Sequence, residues 1–271
     1  MKAKILYYIL ILLVLLAGII TFILLSKRDP LYGPESIAFD ETGKRFLVSN
    51  TMGKSITSLS LSEQWTPFLD EGLDEPRGLT IHSGKLYVAD KTAIKIINLD
   101  NAAIIDTIQI PGAVMLNDLA FTKNGIIYTT DTAGNCIFVI DPANNNIQKL
   151  ASPLLKKPNG IVYDMPRNQM FVVCFTEKSP ILSVSTLDNK ITIFMDSIYD
   201  NLDGIAIDDL GRIYITCWGQ EMIFEIPQEQ NRYLPTFKNI KAAADIFYYL
   251  PENQLIVPLF NDNKIIRLQL E

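Results

Sequence analysis

Histidine is almost missing from this chain. One residue in 271, His82, carries an imidazole, so any mechanism built on a histidine pair is excluded. His82 falls in Ile81-His82-Ser83-Gly84, a turn-forming stretch, where a surface role is expected. Cysteine is scarce as well. Cys136, Cys174 and Cys217 are odd in number, widely spaced and without a CxxC pair, which excludes a disulfide framework and a thiolate zinc site. There is no GxSxG, no HExxH and no glycine-rich phosphate loop, so serine-hydrolase or nucleotide chemistry would need a cryptic equivalent. Excess basic charge is lacking too: 24 Lys and Arg face 30 Asp and Glu, for a net charge of −6. Residues 1–30 hold Lys2, Lys4, Lys27, Arg28 and Asp29, a net of +3, which leaves −9 on the remainder. So acidic a body argues against nucleic acid or an anionic membrane surface as the main partner, and is compatible with binding a cation.

Long apolar runs occur once. Ile5 to Leu25 is 21 residues without a charge, and as a helix it would reach about 30 Å, the thickness of a bilayer core. Apolar residues continue past Ala17-Gly18, so an uncleaved anchor fits better than a signal peptide. The expected organisation is therefore a membrane anchor and linker over residues 1–29 and a folded domain over 30–271. The membrane contact would run through residues 5–25, in a single-pass protein. The basic flanks are balanced, and the folded domain is expected outside the cytoplasm.

The rest of the chain is a repeat. The phrase Leu202-Asp203-Gly204-Ile205-Ala206-Ile207 recurs, each copy opened by a polar residue: Glu35, Arg77, Asn117, Asn159, Asp203 and Asp245. These lie 42, 40, 42, 44 and 42 residues apart, a period that marks a repeat architecture. Each copy holds short apolar strands divided by Gly, Asn or Asp turns, which suits the four-stranded blade of a propeller. The expected fold is all-β, a six-bladed β-propeller preceded by an N-terminal transmembrane helix. The chain stops after the third strand of the sixth copy, so that blade is expected to be thin or three-stranded. Cys174 and Cys217 fall at equivalent places in successive copies, leaving either a disulfide between them or two buried thiols.

Strand one of a blade lines the channel, so the six openers form a ring at one mouth. Three carboxylates and two amide carbonyls there make an all-oxygen set of the kind hard cations favour. Arg77 offsets part of the charge. The plainer alternative is a ring of strand caps, paired with Arg77 and holding water. Turns after strand two roof the ring, among them Phe175-Thr176-Glu177 and Trp218-Gly219-Gln220. Trp218 either lines a pocket or packs between blades. Asp90 and Asp131 end strand two in neighbouring blades, where bonding turn amides is the expected role.

Pro34-Glu35-Ser36, Asn117-Asp118, Pro158-Asn159-Gly160 and Asp203-Gly204 stand in the order seen in the gluconolactonase and regucalcin-like propellers, the senescence-marker-protein family of the calcium-dependent phosphotriesterase superfamily. Asn117 to Phe121 with Ile127 to Asp131 resembles that family's third blade, and Leu202 to Trp218 its fifth. The resemblance covers roughly residues 34–270. It implies a divalent metal, Ca²⁺ above all, on Glu35, Asn159 and Asp203, with Asn117 a fourth ligand or a substrate contact. It also implies hydrolysis of a lactone or ester, a small-molecule substrate, with Asp203 both ligand and proton acceptor; Arg77 and Trp218, beside the ring, are expected to contact that substrate. Met115 stands where such lactonases often carry an arginine, which leaves Arg77 to supply the positive charge. Leu86-Tyr87-Val88-Ala89-Asp90 resembles NHL repeats as well, so a non-catalytic propeller binding a protein or glycan partner is the alternative.

Overall fold

The computed structural model describes residues 29–271. Blade one comprises β1 (Pro34–Asp40), β2 (Arg45–Asn50), β3 (Ser55–Ser60) and β4 (Trp65–Leu69); blade two β5 (Pro76–His82), β6 (Lys85–Asp90), β7 (Ala93–Asn98) and β8 (Ile104–Gln109). Blade three follows with β9 (Leu116–Phe121), β10 (Ile127–Asp131), β11 (Cys136–Asp141) and β12 (Asn146–Ala151). Blade four has β13 (Pro158–Asp164), β14 (Gln169–Cys174), β15 (Ile181–Ser185) and β16 (Ile191–Met195). Blade five has β17 (Leu202–Ile207), β18 (Ile213–Cys217), β19 (Met222–Ile226) and β20 (Leu234–Lys238). Blade six has only β21 (Phe247–Tyr249), β22 (Gln254–Leu259) and β23 (Lys264–Gln269). Every blade is an antiparallel meander in chain order, five of them four-stranded and the last three-stranded.

The expectation of six blades with a thin sixth holds. The transmembrane helix expected ahead of them does not enter the fold class. Among the described residues no helix is long and apolar enough to cross a membrane, and the span 5–25 lies outside those residues. Regular structure in the described part is strand, apart from one 3-10 turn at Leu250–Glu252. The fold class is corrected accordingly to an all-β six-bladed propeller.

The core explains the layering. The second strands are buried almost throughout, as in Phe46, Leu47 and Val48 or Met170, Phe171, Val172 and Val173, each at 0% exposure. Such a strand has neighbours on both faces, because blades pack face to face, and it therefore reads as a continuous apolar run. Outermost strands face water and are mostly polar or half-exposed. Among the described residues, blade six meets blade one by packing, with no strand exchanged between them. Tyr249 meets Phe39 and Phe46 at ring-centre distances of 4.8 and 4.9 Å. Arg267 lies over the Phe46 ring and pairs with Glu63 at 2.8 Å. Backbone joins the blades near the axis, where Asp245 N donates to Glu35 O at 3.0 Å.

All three cysteines are buried and free, so the thiol alternative is the right one. Burial pushes the Cys136 and Cys174 thiols up to about 11, which makes them packing groups rather than nucleophiles. His82 ends β5 and stacks on Phe121 of the next blade, rings 4.1 Å apart and 4° from parallel. It joins blades two and three, so its role is packing and not the surface turn expected.

Candidate active site at the mouth of the channel

An irregularity repeated in five blades builds the site. In β1 the pairing with β2 skips from Pro34 to Ile37, and the same skip occurs between Pro76 and Leu79, Pro158 and Ile161, and Leu202 and Ile205. In β9 it falls between Leu116 and Leu119. Each skip leaves two residues unpaired in a β-bulge, which re-aims their side chains. The first of the two is the opener: Glu35, Arg77, Asn117, Asn159, Asp203. The bulges explain how a strand otherwise committed to packing delivers one polar group to the channel.

Hydroxyls on strand two support the bulges in alternate blades. Ser49, Thr130 and Thr216 accept from the amides of Ser36, Asp118 and Gly204. They donate in turn to the carbonyls of Arg77, Asn159 and Ala244 in the following blades, at 2.6, 2.6 and 2.7 Å. The bulges of blades one, three and five are thus held from their own second strand, and those of blades two and four, with Ala244 in blade six, from the preceding blade. Asp90 and Asp131 do bond turn amides, those of Asp74 and Glu75 and of Val114, Met115 and Gly134. All but Gly134, which lies in the turn after β10, are in the turns that lead into strand one of the same blades, so the two carboxylates set the entry to Arg77 and Asn117.

Blade six departs from the expected ring. Leu259 pairs with Ala243 as Asn50 pairs with Pro34, so Ala244, not Asp245, holds the opener position. Asp245 stands one place further on, level with Ser36, Gly78, Asp118, Gly160 and Gly204. There it accepts from Ser36 Oγ at 2.7 Å and from its neighbour's amide, Ile246 N, also at 2.7 Å. The ring therefore has five members and two carboxylates, and a second layer beneath holds Asp118 and Asp245.

The five openers line one cavity of about 190 Å³ together with Met115, Thr132, Phe175, Trp218 and Phe260. Glu35, Asn117, Asn159 and Asp203 are only 5–6% exposed. Among the described residues, Asn117, Asn159 and Asp203 have no side-chain hydrogen-bond partner. Glu35 has one, Arg77 Nη1 at 3.4 Å, and Arg77 Nε is buried and unpaired. Four buried oxygen-bearing side chains thus converge with almost nothing to bond. Burial pushes the Asp203 carboxyl well above the usual carboxylate range, and the charges of Glu35 and Asp245 push it further while Arg77 draws it back. Burial raises Glu35 also, against the pull of Arg77. Hard oxygens, two of them anionic, that repel each other and lack protein partners are a donor set that a divalent cation fits.

Walls divide by chemistry. The residues that follow strand two are Thr51, Lys91 and Thr132 in blades one to three, and Phe175, Trp218 and Phe260 in blades four to six. Phe175 and Trp218 meet edge to face at 5.5 Å, and Trp218 and Phe260 lie tilted to each other at 6.3 Å. Trp218 is fixed by a 2.6 Å bond from Nε1 to Ala243 O, so it both lines the pocket and braces blade six. Phe260 was not anticipated. Its one signal is the register it shares with Phe175 and Trp218, directly after strand two. On the opposite rim Arg77, Glu75 and Lys91 form a short charge relay at 3.9 and 3.4 Å.

The profile of a family described as the SMP-30/Gluconolactonase/LRE-like region matches residues 33–234. A search of curated protein sequences finds no match. Among solved structures, the chain is similar to a gluconolactonase from Xanthomonas campestris, with a TM-score of 0.75, 16% identity, and 90% of this chain and 88% of that one covered. It is similar to virginiamycin B lyase from Staphylococcus aureus, at TM-score 0.66 and 16% identity over 91% and 86% of the two chains. A luciferin-regenerating enzyme matches at TM-score 0.69 and 15% identity over 88% and 92%.

Proposed function

The chain belongs to the SMP-30/gluconolactonase/LRE-like family, and on that premise we propose that the channel mouth is the active site of a hydrolase that opens lactones or esters. One observation carries the proposal. Glu35, Asn117, Asn159 and Asp203 come from four blades, sit at 5–6% exposure, and share almost no protein partner. Polar atoms that face a shared cavity in place of protein partners are free to bond a ligand placed there.

Glu35, Asn117, Asn159 and Asp203 would hold a divalent cation, and all-oxygen donors favour Ca²⁺. Bound there, the ion would supply Lewis acidity towards a carbonyl or phosphoryl oxygen. Asp203 is the residue to accept a proton, because its carboxylate lines the cavity beside the other proposed ligands, where the reacting oxygen would be held. Arg77 provides a positive charge beside the carboxylates for a substrate oxygen. Phe175, Trp218, Phe260 and Met115 provide an apolar wall. With Met115 where an arginine would bind polar groups, this wall favours an apolar or aryl acyl portion over a polyol.

Calcium titration by calorimetry and turnover of a panel of aliphatic lactones, sugar lactones and aryl esters test the reading. The expected outcome is saturable calcium binding and cleavage of the apolar members above the sugar lactones. A protein that binds no divalent ion and cleaves nothing on the panel is instead a non-catalytic propeller of the NHL kind.

A further inference from the structure

A second cavity lies at the other end of the blades, between blades three and four, with a volume of about 520 Å³. Its origin can be read from the repeat. In blade one Asp40 ends strand one and Arg45 opens strand two; their side chains pair at 3.0 Å, and Arg45 Nη2 reaches Leu99 O just past the third strand of blade two. Blade five repeats the device. Asp208 pairs with Arg212 at 2.6 Å, and Arg212 Nη1 reaches Glu271 O beyond the third strand of blade six. In blade three the same two places hold Thr122 and Ile126, which are paired through backbone at 2.9 Å. No arginine crosses to blade four, and the gap beside Thr186 and Leu187 stays open.

Five amides line the gap, Asn124, Asn146, Gln148, Asn168 and Asn189, with Lys123 and Asp141 as its two charged groups of opposite sign. Asn189 accepts from Tyr128 OH at 2.6 Å and donates to Gln148 at 3.3 Å, while Asn168 accepts from Tyr163 OH at 2.7 Å. Asn168 and Asn189 have positive φ, so turn formation accounts for their type. It does not account for Asn146 and Gln148, which stand on the exposed outer strand β12. Asn124 and Asn146 add amides with no side-chain partner among the described residues. The one carboxylate, Asp141, already accepts from Ala143 N and from Asn144 Nδ2. Amides both donate and accept, so a ligand whose groups also do both is the match. The Tyr163 ring and Met165 offer apolar surface beside them.

We propose that this inter-blade cavity is a binding site for a neutral saccharide, separate from the channel mouth. Vicinal hydroxyls would pair with the Asn and Gln amides, and the C–H face of the sugar would lie against Tyr163 and Met165. The size is within the range of about 300–1,000 Å³ typical of small-molecule sites.

Full-length chain is titrated with maltose, cellobiose and N,N′-diacetylchitobiose, each to about 20 mM, by saturation-transfer NMR. The Thr122→Asp/Ile126→Arg variant rebuilds the plug of blades one and five. Asn146→Ala/Gln148→Ala, on an exposed strand, removes two amides without touching the core. At least one sugar should bind with a millimolar dissociation constant, and both variants should weaken it about tenfold or more. Calcium affinity at the ring should be unchanged in both. Absence of binding by all three sugars, or binding unaltered by both variants, overturns the proposal.

Discussion

Asp203 and Arg77 share one cavity and should respond oppositely to substitution. Asp203→Asn keeps the size and removes an anionic oxygen that repels Glu35. Folding should survive, with thermal stability equal or higher, because a buried charge is lost. Calcium affinity should drop by at least about tenfold, roughly 1.4 kcal/mol, and turnover should fall further because the proton acceptor goes with the ligand. Arg77→Ala removes the cation beside Glu35, so calcium should bind as tightly or more tightly while turnover drops. Calorimetry on both variants checks the pair. Equal calcium affinity in Asp203→Asn and parent would remove Asp203 from the ligand set.

At the level of the element, the bulge is the working unit, and its second residue carries the packing constraint. A Cβ on Gly160 would lie 2.5 Å from the Asp203 carbonyl oxygen and 3.0 Å from Gly204 Cα. Both are backbone atoms and neither can rotate away. Gly160→Ala should therefore cost about 1–3 kcal/mol, displace Asp203 and lower turnover together with stability. Gly84→Ala is the contrast. It sits at φ 71° in open space, so it should cost about 1 kcal/mol through backbone strain alone and leave turnover intact. Chemical denaturation with parallel rate measurements separates the two, and a Gly160→Ala protein of parental stability would contradict the close approach. The bulge also explains what could be read from the sequence. Openers of blades one to five were visible because a polar residue before an apolar strand is conspicuous. In blade six the conspicuous residue, Asp245, occupies the second bulge place, and the true opener, Ala244, has no polar side chain to mark it. The outer strands β8, β12, β16 and β20 were not visible individually. They are exposed or half-exposed, and β8, β12 and β20 mix apolar and polar residues without a clean alternation that would set them apart from loop, while β16 is a short apolar run with no partner strand evident beside it in the sequence.

Across the whole molecule, the channel concentrates charge that the fold alone does not neutralise. Glu35, Asp118, Asp203 and Asp245 all have their carboxyls pushed up by burial, Asp245 to about 6 and Asp118 and Asp203 well above the usual range. Arg77 is the one cation set among them in the ring. In the unfolded chain these groups ionise near 4. A folded-state value above the unfolded one means the folded form binds protons more readily. The stability this confers is complete below about pH 4 and is lost as pH rises through the folded values, that of Asp245 being about 6. Net negative charge on the acidic body acts in the same direction. The chelator-treated protein should therefore melt higher at pH 5 than at pH 8, by several degrees if the loss is about 2 kcal/mol. Calcium at pH 8 should restore the difference, because a ligand that binds only the folded form stabilises it by mass action. At pH 5 it should do little, since protonated carboxyls are poor ligands for a hard cation. Differential scanning calorimetry at the two pH values, with chelator and then with excess calcium, reads all four conditions. A midpoint that rises from pH 5 to pH 8 in chelator would show that the buried carboxylates are compensated by something other than a bound cation.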